Sequence, residues 1–274
     1  MNRLPEDPLP LFEAYMRLCG TPTLAAEPGE PGLTGKTLGI VNGSAWTTLW
    51  SMYFGRRHLP GVKLVNVGNE AVQLNFMSAH AAGEACPPES NIRCFQDYAA
   101  DLVRLCRPDA ILLTCSTMNR ASESVARILV ESDVPLVQID EPMMEAAAAI
   151  GGRTLVIATH GPTVANTQAL LRETATRLDR PLDLTGATVE DAFHLLGEGR
   201  IREHNEIIAR TIDDVRAHER IDSVVLAQLS MAVFALTYPD AEARFEVPVL
   251  NSGDCGFRRV RELLLSTSRE TPVR

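Results

Sequence analysis

The sequence predicts an α/β protein made of two similar halves, each built on a parallel sheet. The first observation is a repeated stretch: residues 107–118 read R-P-D-A-I-L-L-T-C-S-T-M, and residues 220–231 read R-I-D-S-V-V-L-A-Q-L-S-M. The copies are 220 − 107 = 113 residues apart and share Arg, Asp, Leu and Met at the same places. Each contains an apolar run that ends in small polar residues, which is typical of a short buried strand.

Two further landmarks recur in the same order. V-P-L-V-Q-I-D begins at Val134 and V-P-V-L-N-S-G at Val247, and 247 − 134 is again 113. G-K-T-L-G-I-V-N begins at Gly35 and G-R-T-L-V-I-A-T at Gly152, an offset of 152 − 35 = 117. Chance could supply one such match, but three in register indicate a duplicated architecture.

The first half alternates strands and helices after a Pro-rich lead. Its first strand is an apolar run that ends in N-G-S-A at residues 42–45, as a parallel strand does where it enters its loop. The turn Pro60-Gly61 precedes the second strand. We predict strands at 36–41, 62–67, 110–114 and 135–139, and helices at 11–19, 47–56, 73–83, 91–106 and 121–131.

The second half repeats this cycle. A strand that ends in H-G-P-T at residues 160–163 opens it, and R-R-V-R-E-L-L-L at 258–265 suits a surface helix with one apolar face. We predict strands at 155–159, 182–184, 223–227 and 247–250, and helices at 141–150, 164–178, 200–219, 230–236 and 255–266.

Strand alternating with helix predicts parallel sheets with right-handed crossovers. We therefore expect two flavodoxin-like α/β domains related by a pseudo-twofold. Residues 1–143 with 245–274 form the first, which includes an N-terminal extension and the C-terminal helix, and residues 144–244 form the second. Ligands of open α/β sheets bind beyond the carboxyl ends of the strands, so the active site is expected in the cleft between the domains.

Composition is that of an ordinary globular enzyme, with 45% hydrophobic and 22% charged residues in 274. The net charge of −9 disfavours a general nucleic-acid or anionic-membrane binder. No apolar run approaches the ~20 residues that span a bilayer, and the N-terminus lacks the apolar core of a signal peptide. The six cysteines form no C-x-x-C pair and no zinc spacing, so we expect reduced thiols in a cytoplasmic protein.

Cys115 is the leading candidate for chemistry. It lies at a predicted strand end, where substrate can reach a thiol and where the N–H groups of a following helix lower its pKa. The alternative is a buried structural cysteine. The matching position in the second half is Gln228, whose amide hydrogen-bonds but does not exchange protons usefully, and which could equally be a polar loop residue.

Two loops of small polar residues could hold an anion. Asn42-Gly43-Ser44 and His160-Gly161-Pro162-Thr163 each follow a strand and precede a helix, an arrangement that suits a carboxylate or phosphate. Two such loops around one thiol would fit a dicarboxylate or an amino acid. Both could instead be helix N-caps without a ligand. His160 could act as a base and Cys255 as a displaced second thiol.

These motifs together resemble the aspartate/glutamate/hydantoin racemase superfamily. The first catalytic cysteine of that family typically reads C-N-T, and here Cys115-Ser116-Thr117 reads C-S-T. The second typically reads L-G-C-T, and here residues 226–229 read L-A-Q-L. The family's strand-end loops are similar to V-N-G-S at 41–44 and A-T-H-G-P-T at 158–163. The resemblance covers roughly residues 35–262.

The resemblance implies a cofactor-independent racemase or epimerase, without metal, that acts on a small carboxylate or amino acid and has Cys115 as its acid/base. The absent second cysteine leaves other activities open. Arylmalonate decarboxylases of this superfamily work with one cysteine, although theirs lies in the second half. A ligand-binding homologue without turnover and a nucleophilic hydrolase also remain open. We expect a homo-oligomer. The substrate-binding candidates are Asn42, Ser44, Ser116, Thr117, Thr159, Thr163 and Gln228.

Overall fold

The computed structural model describes residues 7–19, 29–44, 47–159 and 161–267, without the side chains of residues 19, 161 and 162. The chain divides into two compact units. The first comprises Met1–Gln138 and Phe257–Arg274, and the second comprises Ile139–Gly256. None of the helices in the described ranges is long and apolar enough to cross a membrane.

The first unit contains a four-stranded sheet in the order β2-β1-β3-β4, with every pair parallel. Its strands are β1 Thr37–Asn42, β2 Lys63–Gly68, β3 Ala110–Leu113 and β4 Leu136–Gln138. Its helices are α1 Leu9–Cys19, α2 Thr47–His58, α3 Glu70–Ala81, α4 Glu89–Cys106 and α5 Ser122–Leu129, and 3₁₀ segments lie at Ser116–Ala121 and Val130–Ser132.

Helix α4 shows how this sheet is covered. Phe95, Ala99 and Leu102 recur at helical spacing, lie on one face of α4, and are buried in the same cluster as Ile111 of β3. The helix ends at Arg107, whose φ of 45° is left-handed and turns the chain into β3. The apolar stripe of α4 thus covers the sheet, in which β3 is a central strand.

The second unit repeats this design, with the sheet order β6-β5-β7-β8 and every pair parallel. Its strands are β5 Gly152–Ala158, β6 Leu182–Thr188, β7 Ser223–Leu226 and β8 Val249–Asn251. Its helices are α6 Glu141–Ile150, α7 Gly161–Arg177, α8 Glu190–Gly197, α9 Ile201–His218, α10 Phe234–Thr237, α11 Ala241–Phe245 and α12 Ser252–Ser266, with a 3₁₀ segment at Leu229–Val233.

Helix α12 begins in the second unit and contributes to the first from Phe257 onward. A β-carbon on Gly55 of α2 would lie 3.3 Å from the Phe257 ring, so α12 packs closely on α2. Arg261 of α12 also pairs with Glu30 ahead of β1. The C-terminal helix is therefore part of the first unit's packing.

The aspartate of the repeated R-x-D motif, Asp109 in the first unit and Asp222 in the second, has the same structural role in both units. The backbone N–H of Thr37 at the start of β1 donates to Asp109 at 2.7 Å, and that of Arg153 in β5 donates to Asp222 at 2.8 Å. In the second unit this hydrogen bond lowers the pKa of Asp222. Each carboxylate joins the loop before the third strand of its unit to the start of the neighbouring first strand.

The predicted fold class of two parallel α/β sheets is confirmed, while several limits differ. Val249–Asn251 pairs with β7 and belongs to the second sheet, whereas the sequence-based limits assigned 245–274 to the first half. Strand β6 extends to Thr188, beyond the predicted end at 184, and α8 was not predicted. Strand β6 is an edge strand in which four of seven residues are polar or glycine, so it lacks the apolar signal of a central strand.

Candidate active site

Cys115 and Gly43 lie side by side just beyond the ends of two neighbouring strands. Val41 pairs with Leu113 in the register of β1 and β3, and Gly43 and Cys115 are each two residues further on. A β-carbon on Gly43 would lie only 2.2 Å from the sulfur of Cys115 and 2.8 Å from its β-carbon. The sulfur therefore occupies space that only a glycine at position 43 leaves open.

The Cys115 side chain is largely buried but keeps a small solvent exposure. Cys115 is 9% exposed, and its sulfur lies 3.0 Å from the Thr117 hydroxyl, with either atom able to donate. The Met118 N–H donates to the Cys115 carbonyl at 3.0 Å, which closes the turn after β3. Between them, the Ser116 hydroxyl oxygen is buried and has no hydrogen-bond partner among the described residues. A buried polar atom in that condition is costly unless another group, such as a ligand, satisfies it.

Asn42 is a buried hydrogen-bond centre below this loop. Its side-chain oxygen accepts from Thr114 at 2.7 Å and from Ser51 at 2.8 Å, and it lies 3.4 Å from the Thr47 hydroxyl. Its amide nitrogen donates to Asn66 at 3.0 Å. The side chain thus joins β1 to β2, β3 and α2, and its oxygen is fully engaged within the first unit.

The second unit has a different pair at the matching place. Ile157 pairs with Leu226 in the register of β5 and β7, so Thr159 and Gln228 correspond to Gly43 and Cys115. The backbone N–H of Thr159 donates to the Gln228 side-chain oxygen at 2.8 Å, and its hydroxyl donates to the same oxygen at 2.9 Å. Thr159 is 2% exposed, while Gln228 is half-buried. The Gln228 side chain is therefore fixed by two hydrogen bonds from Thr159 and is not simply an exposed loop residue.

The remaining candidates occupy strand-end loops of their own units. Ser44 is buried, and its carbonyl accepts from the Thr47 N–H at 3.3 Å and the Thr47 hydroxyl at 2.7 Å at the start of α2. Thr163 is buried in the first turn of α7. His160 lies outside the described residues. Cys255, in the first turn of α12, is half-buried against an apolar cluster that includes Ala227.

The structure also reveals polar residues that the sequence did not single out. His204 is fully buried on α9, and its Nδ1 lies 2.7 Å from the Asn205 side-chain oxygen. Asn205 in turn donates to the Thr237 hydroxyl at 2.7 Å and the Val233 carbonyl at 3.0 Å, which anchors the segment that follows Gln228. Nothing in the sequence could identify this pair, because both residues lie in a long charged helix that looks solvated.

Clusters of three or more His, Cys, Asp and Glu side chains suited to a metal ion do not occur within the described ranges. The polar groups at the strand ends are instead hydroxyls, amides and one thiol. This set can hydrogen-bond a carboxylate and can transfer a proton through sulfur.

Two parallel sheets of identical strand order, with a thiol at one strand end and an amide at its counterpart, define the chain as a duplicated α/β protein. The profile of the Asp/Glu/Hydantoin racemase family matches residues 67–260, well over half of the chain. The chain therefore belongs to that family, and the resemblance drawn from its motifs is confirmed. No curated protein sequence matches the chain.

Solved structures of racemases share the fold. An aspartate racemase homologue from Pyrococcus horikoshii has a TM-score of 0.60 and 19% identity, and the match covers 86% of this chain and 100% of that one. Glutamate racemase from Bacillus anthracis has a TM-score of 0.59, 16% identity and coverages of 85% and 83%. Allantoin racemase from Pseudomonas fluorescens has a TM-score of 0.57, 16% identity and coverages of 87% and 97%. At these identities the similarity establishes the fold.

Proposed function

We propose that the protein is a cofactor-independent carbon-acid enzyme of the isomerase class, with Cys115 as the acid/base, acting on a small carboxylate or amino acid. The observation that carries this proposal is the position of the Cys115 sulfur, just beyond a central strand and against the backbone of Gly43. Membership of a racemase family supports the isomerase class.

The reaction follows from the chemistry of a thiol. The Cys115 thiolate removes the proton from the carbon next to the substrate carboxylate. The electron pair of the C–H bond moves onto the carboxylate oxygens as an enediolate. A proton from solvent water, delivered to that carbon from the opposite face, completes an isomerisation, and the hydroxide left behind takes up the proton held by Cys115. Hydrogen-bond donors around the developing oxyanion lower the barrier.

The surroundings of the sulfur suit this role. The Thr117 hydroxyl, 3.0 Å from the sulfur, can donate to a thiolate and so stabilise it. The buried Ser116 hydroxyl, which has no partner in the described part of the chain, would be satisfied by a substrate oxygen. We assign both as substrate-site residues with Ser44, Thr163 and Gln228. The contacts of Asn42 favour a supporting role, holding the loop from below.

One observation favours a second candidate, a single-thiol lyase. The counterpart of Cys115 is Gln228, whose side-chain oxygen is held by Thr159, and an amide cannot supply a second proton. A decarboxylase needs only one proton donor. The bond to CO2 breaks, its electron pair forms the enediolate of the remaining carboxylate, and Cys115 protonates one face. A binding protein without turnover remains the third candidate.

Exchange of the α-proton in deuterated water separates these candidates. Purified protein is incubated with a panel of amino acids and substituted malonates, and mass spectrometry follows deuterium uptake, inversion and loss of CO2. Uptake with inversion supports the isomerase, and CO2 loss with uptake on one face supports the lyase. Ligand binding with neither reaction across the panel would favour the binding protein.

The role of Cys115 is tested with Cys115→Ser and, as a matched control, Cys106→Ser. Cys106 is a half-buried thiol at the end of α4, and its sulfur contacts the Leu102 carbonyl. We expect Cys115→Ser to abolish exchange and Cys106→Ser to retain it. Exchange retained in Cys115→Ser would contradict the role given to the sulfur.

A further inference from the structure

The amide of Gln228 has a defined orientation. A backbone N–H can only donate, so the Gln228 atom 2.8 Å from the Thr159 nitrogen is the side-chain oxygen. The Thr159 hydroxyl reaches the same oxygen at 2.9 Å. With its oxygen held from two sides, the amide directs its NH2 group away from Thr159.

That NH2 group is available to a ligand. The Gln228 side-chain nitrogen has no hydrogen-bond partner among the described residues. It is also absent from the set of polar atoms that are both fully buried and unpaired. It therefore remains open to solvent while its oxygen is engaged. The result is a half-buried side chain that offers two N–H donors and no accessible acceptor.

We propose that Gln228 binds an anionic oxygen of the substrate through this NH2 group, and that Thr159 is the positioning residue that directs it. This inference rests on the proposed function, because it concerns how the same substrate is bound. Two N–H donors fit a carboxylate or enediolate oxygen and exclude an ammonium group at that place. The substrate group recognised by Gln228 is thus an oxygen acid, and its amino group, where it has one, lies elsewhere.

The two units use their matching strand-end pairs for different purposes. In the first unit, Gly43 contributes no side chain and leaves space for the sulfur of Cys115. In the second, Thr159 contributes both a hydroxyl and a backbone N–H to Gln228. The residue at position 159 therefore determines the role of the residue at position 228. In the first unit a glycine leaves room for the cysteine sulfur, whereas in the second unit a threonine donates hydrogen bonds to the glutamine oxygen.

The experiment measures binding, with malonate, succinate and aspartate as probes, by titration calorimetry. Gln228→Glu keeps an oxygen for the two Thr159 donors but replaces the NH2 group with a second, negatively charged oxygen. We expect its dissociation constant for the tightest of the three probes to rise about tenfold to a hundredfold, the range of a lost charge-assisted hydrogen bond.

Thr159→Val tests the positioning role, because it removes the hydroxyl donor and keeps the N–H donor. We expect weaker binding, by a few fold, with recovery in Thr159→Ser. The matched control is Thr154→Val. Thr154 is on the same strand, and its hydroxyl lies 2.9 Å from that of Ser223 at the other end of the same two strands. This control should lower the melting temperature without changing the dissociation constant.

Binding by Gln228→Glu equal to that of the wild type would overturn the proposal. So would a loss in Thr154→Val as large as in Thr159→Val, or the absence of binding of all three probes at tens of millimolar. The binding measurement does not depend on turnover. Failure of α-proton exchange with intact binding would therefore count against the proposed reaction alone.

Discussion

The sulfur of Cys115 rests against the backbone of Gly43, and a β-carbon on that glycine would lie 2.2 Å from it. The two residues follow β3 and β1, which are hydrogen-bonded neighbours in the sheet. The thiol and the loop at Gly43 are consequently packed in direct contact, so a larger side chain at either position must displace the other residue.

Gly43→Ala should displace the thiol. The added methyl group would also lie 2.8 Å from the Cys115 β-carbon, so the loop or the cysteine must move. We expect a loss of stability of about 1–3 kcal/mol from overpacking and a fall in α-proton exchange of about a hundredfold from misplacement. Urea denaturation and the exchange assay measure the two effects.

Gly197→Ala is the control for that substitution. A β-carbon there meets nothing within 4 Å, and the backbone φ is not left-handed. It should leave stability and exchange unchanged or slightly improve stability. Equal effects at the two glycines would refute the packing argument.

Asn42→Ala should destabilise the first unit strongly. The substitution removes the shared acceptor of the Thr114 and Ser51 hydroxyls, which keep only the longer contacts to the Val41 and Thr47 carbonyls, and it removes the link to Asn66. We expect a loss of about 3 kcal/mol in the free energy of unfolding. Asn75→Ala, which removes an exposed amide bound to Ser90 and Asn91, should cost less than about 1 kcal/mol. A small effect at Asn42 would show that its hydrogen bonds are not structural.

Restoring a second thiol should require two substitutions. In Gln228→Cys the new sulfur, oriented like that of Cys115, would meet the side chain of Thr159 where the first unit has glycine. We expect the single variant to invert its substrate no faster than the wild type, and Thr159→Gly with Gln228→Cys to invert it faster. Polarimetry measures inversion, and iodoacetamide labelling with mass spectrometry reports whether residue 228 is accessible. Faster inversion by the single variant than by the wild type would refute the steric argument.

His204 should make stability depend on pH. Burial lowers its pKa below the ordinary value of 6.5, and its Nε2 is buried with no acceptor among the described residues. The unfolded chain then binds a proton more readily than the folded one. The free energy of unfolding should thus be at its full value above pH 6.5, and should decrease as the pH falls toward the folded pKa.

Urea denaturation between about pH 5 and 8 checks this dependence. His204→Gln should flatten the pH profile relative to the wild type. His218→Gln is the control, because His218 is on the same helix but exposed, with its ring nitrogen bound to the Asp214 carbonyl. A profile unchanged in His204→Gln would assign the pH dependence to other groups.

The central strands were predictable because burial on both faces makes them continuous apolar runs, as in I-L-L at 111–113 and V-V-L at 224–226. The edge strand β6 was harder to predict, because four of its seven residues are polar or glycine. The repeat located strand β8 in the second half, but the sequence-based domain limits assigned residues 245–274 to the first. Its pairing with β7 is a long-range contact that a local pattern does not contain.

The sequence by itself determined the duplicated α/β architecture, the family, and the presence of one strand-end cysteine matched by a glutamine. These depend on local hydrophobic pattern and on order along the chain. Only the tertiary structure decided that Gly43 gives room to the sulfur, that Asn42 is a buried hydrogen-bond centre, and that Thr159 orients Gln228. Each of these joins residues 69 to 72 positions apart, since 115 − 43 = 72, 114 − 42 = 72 and 228 − 159 = 69. Strand register brings them together, and register is set by the packing of the whole sheet.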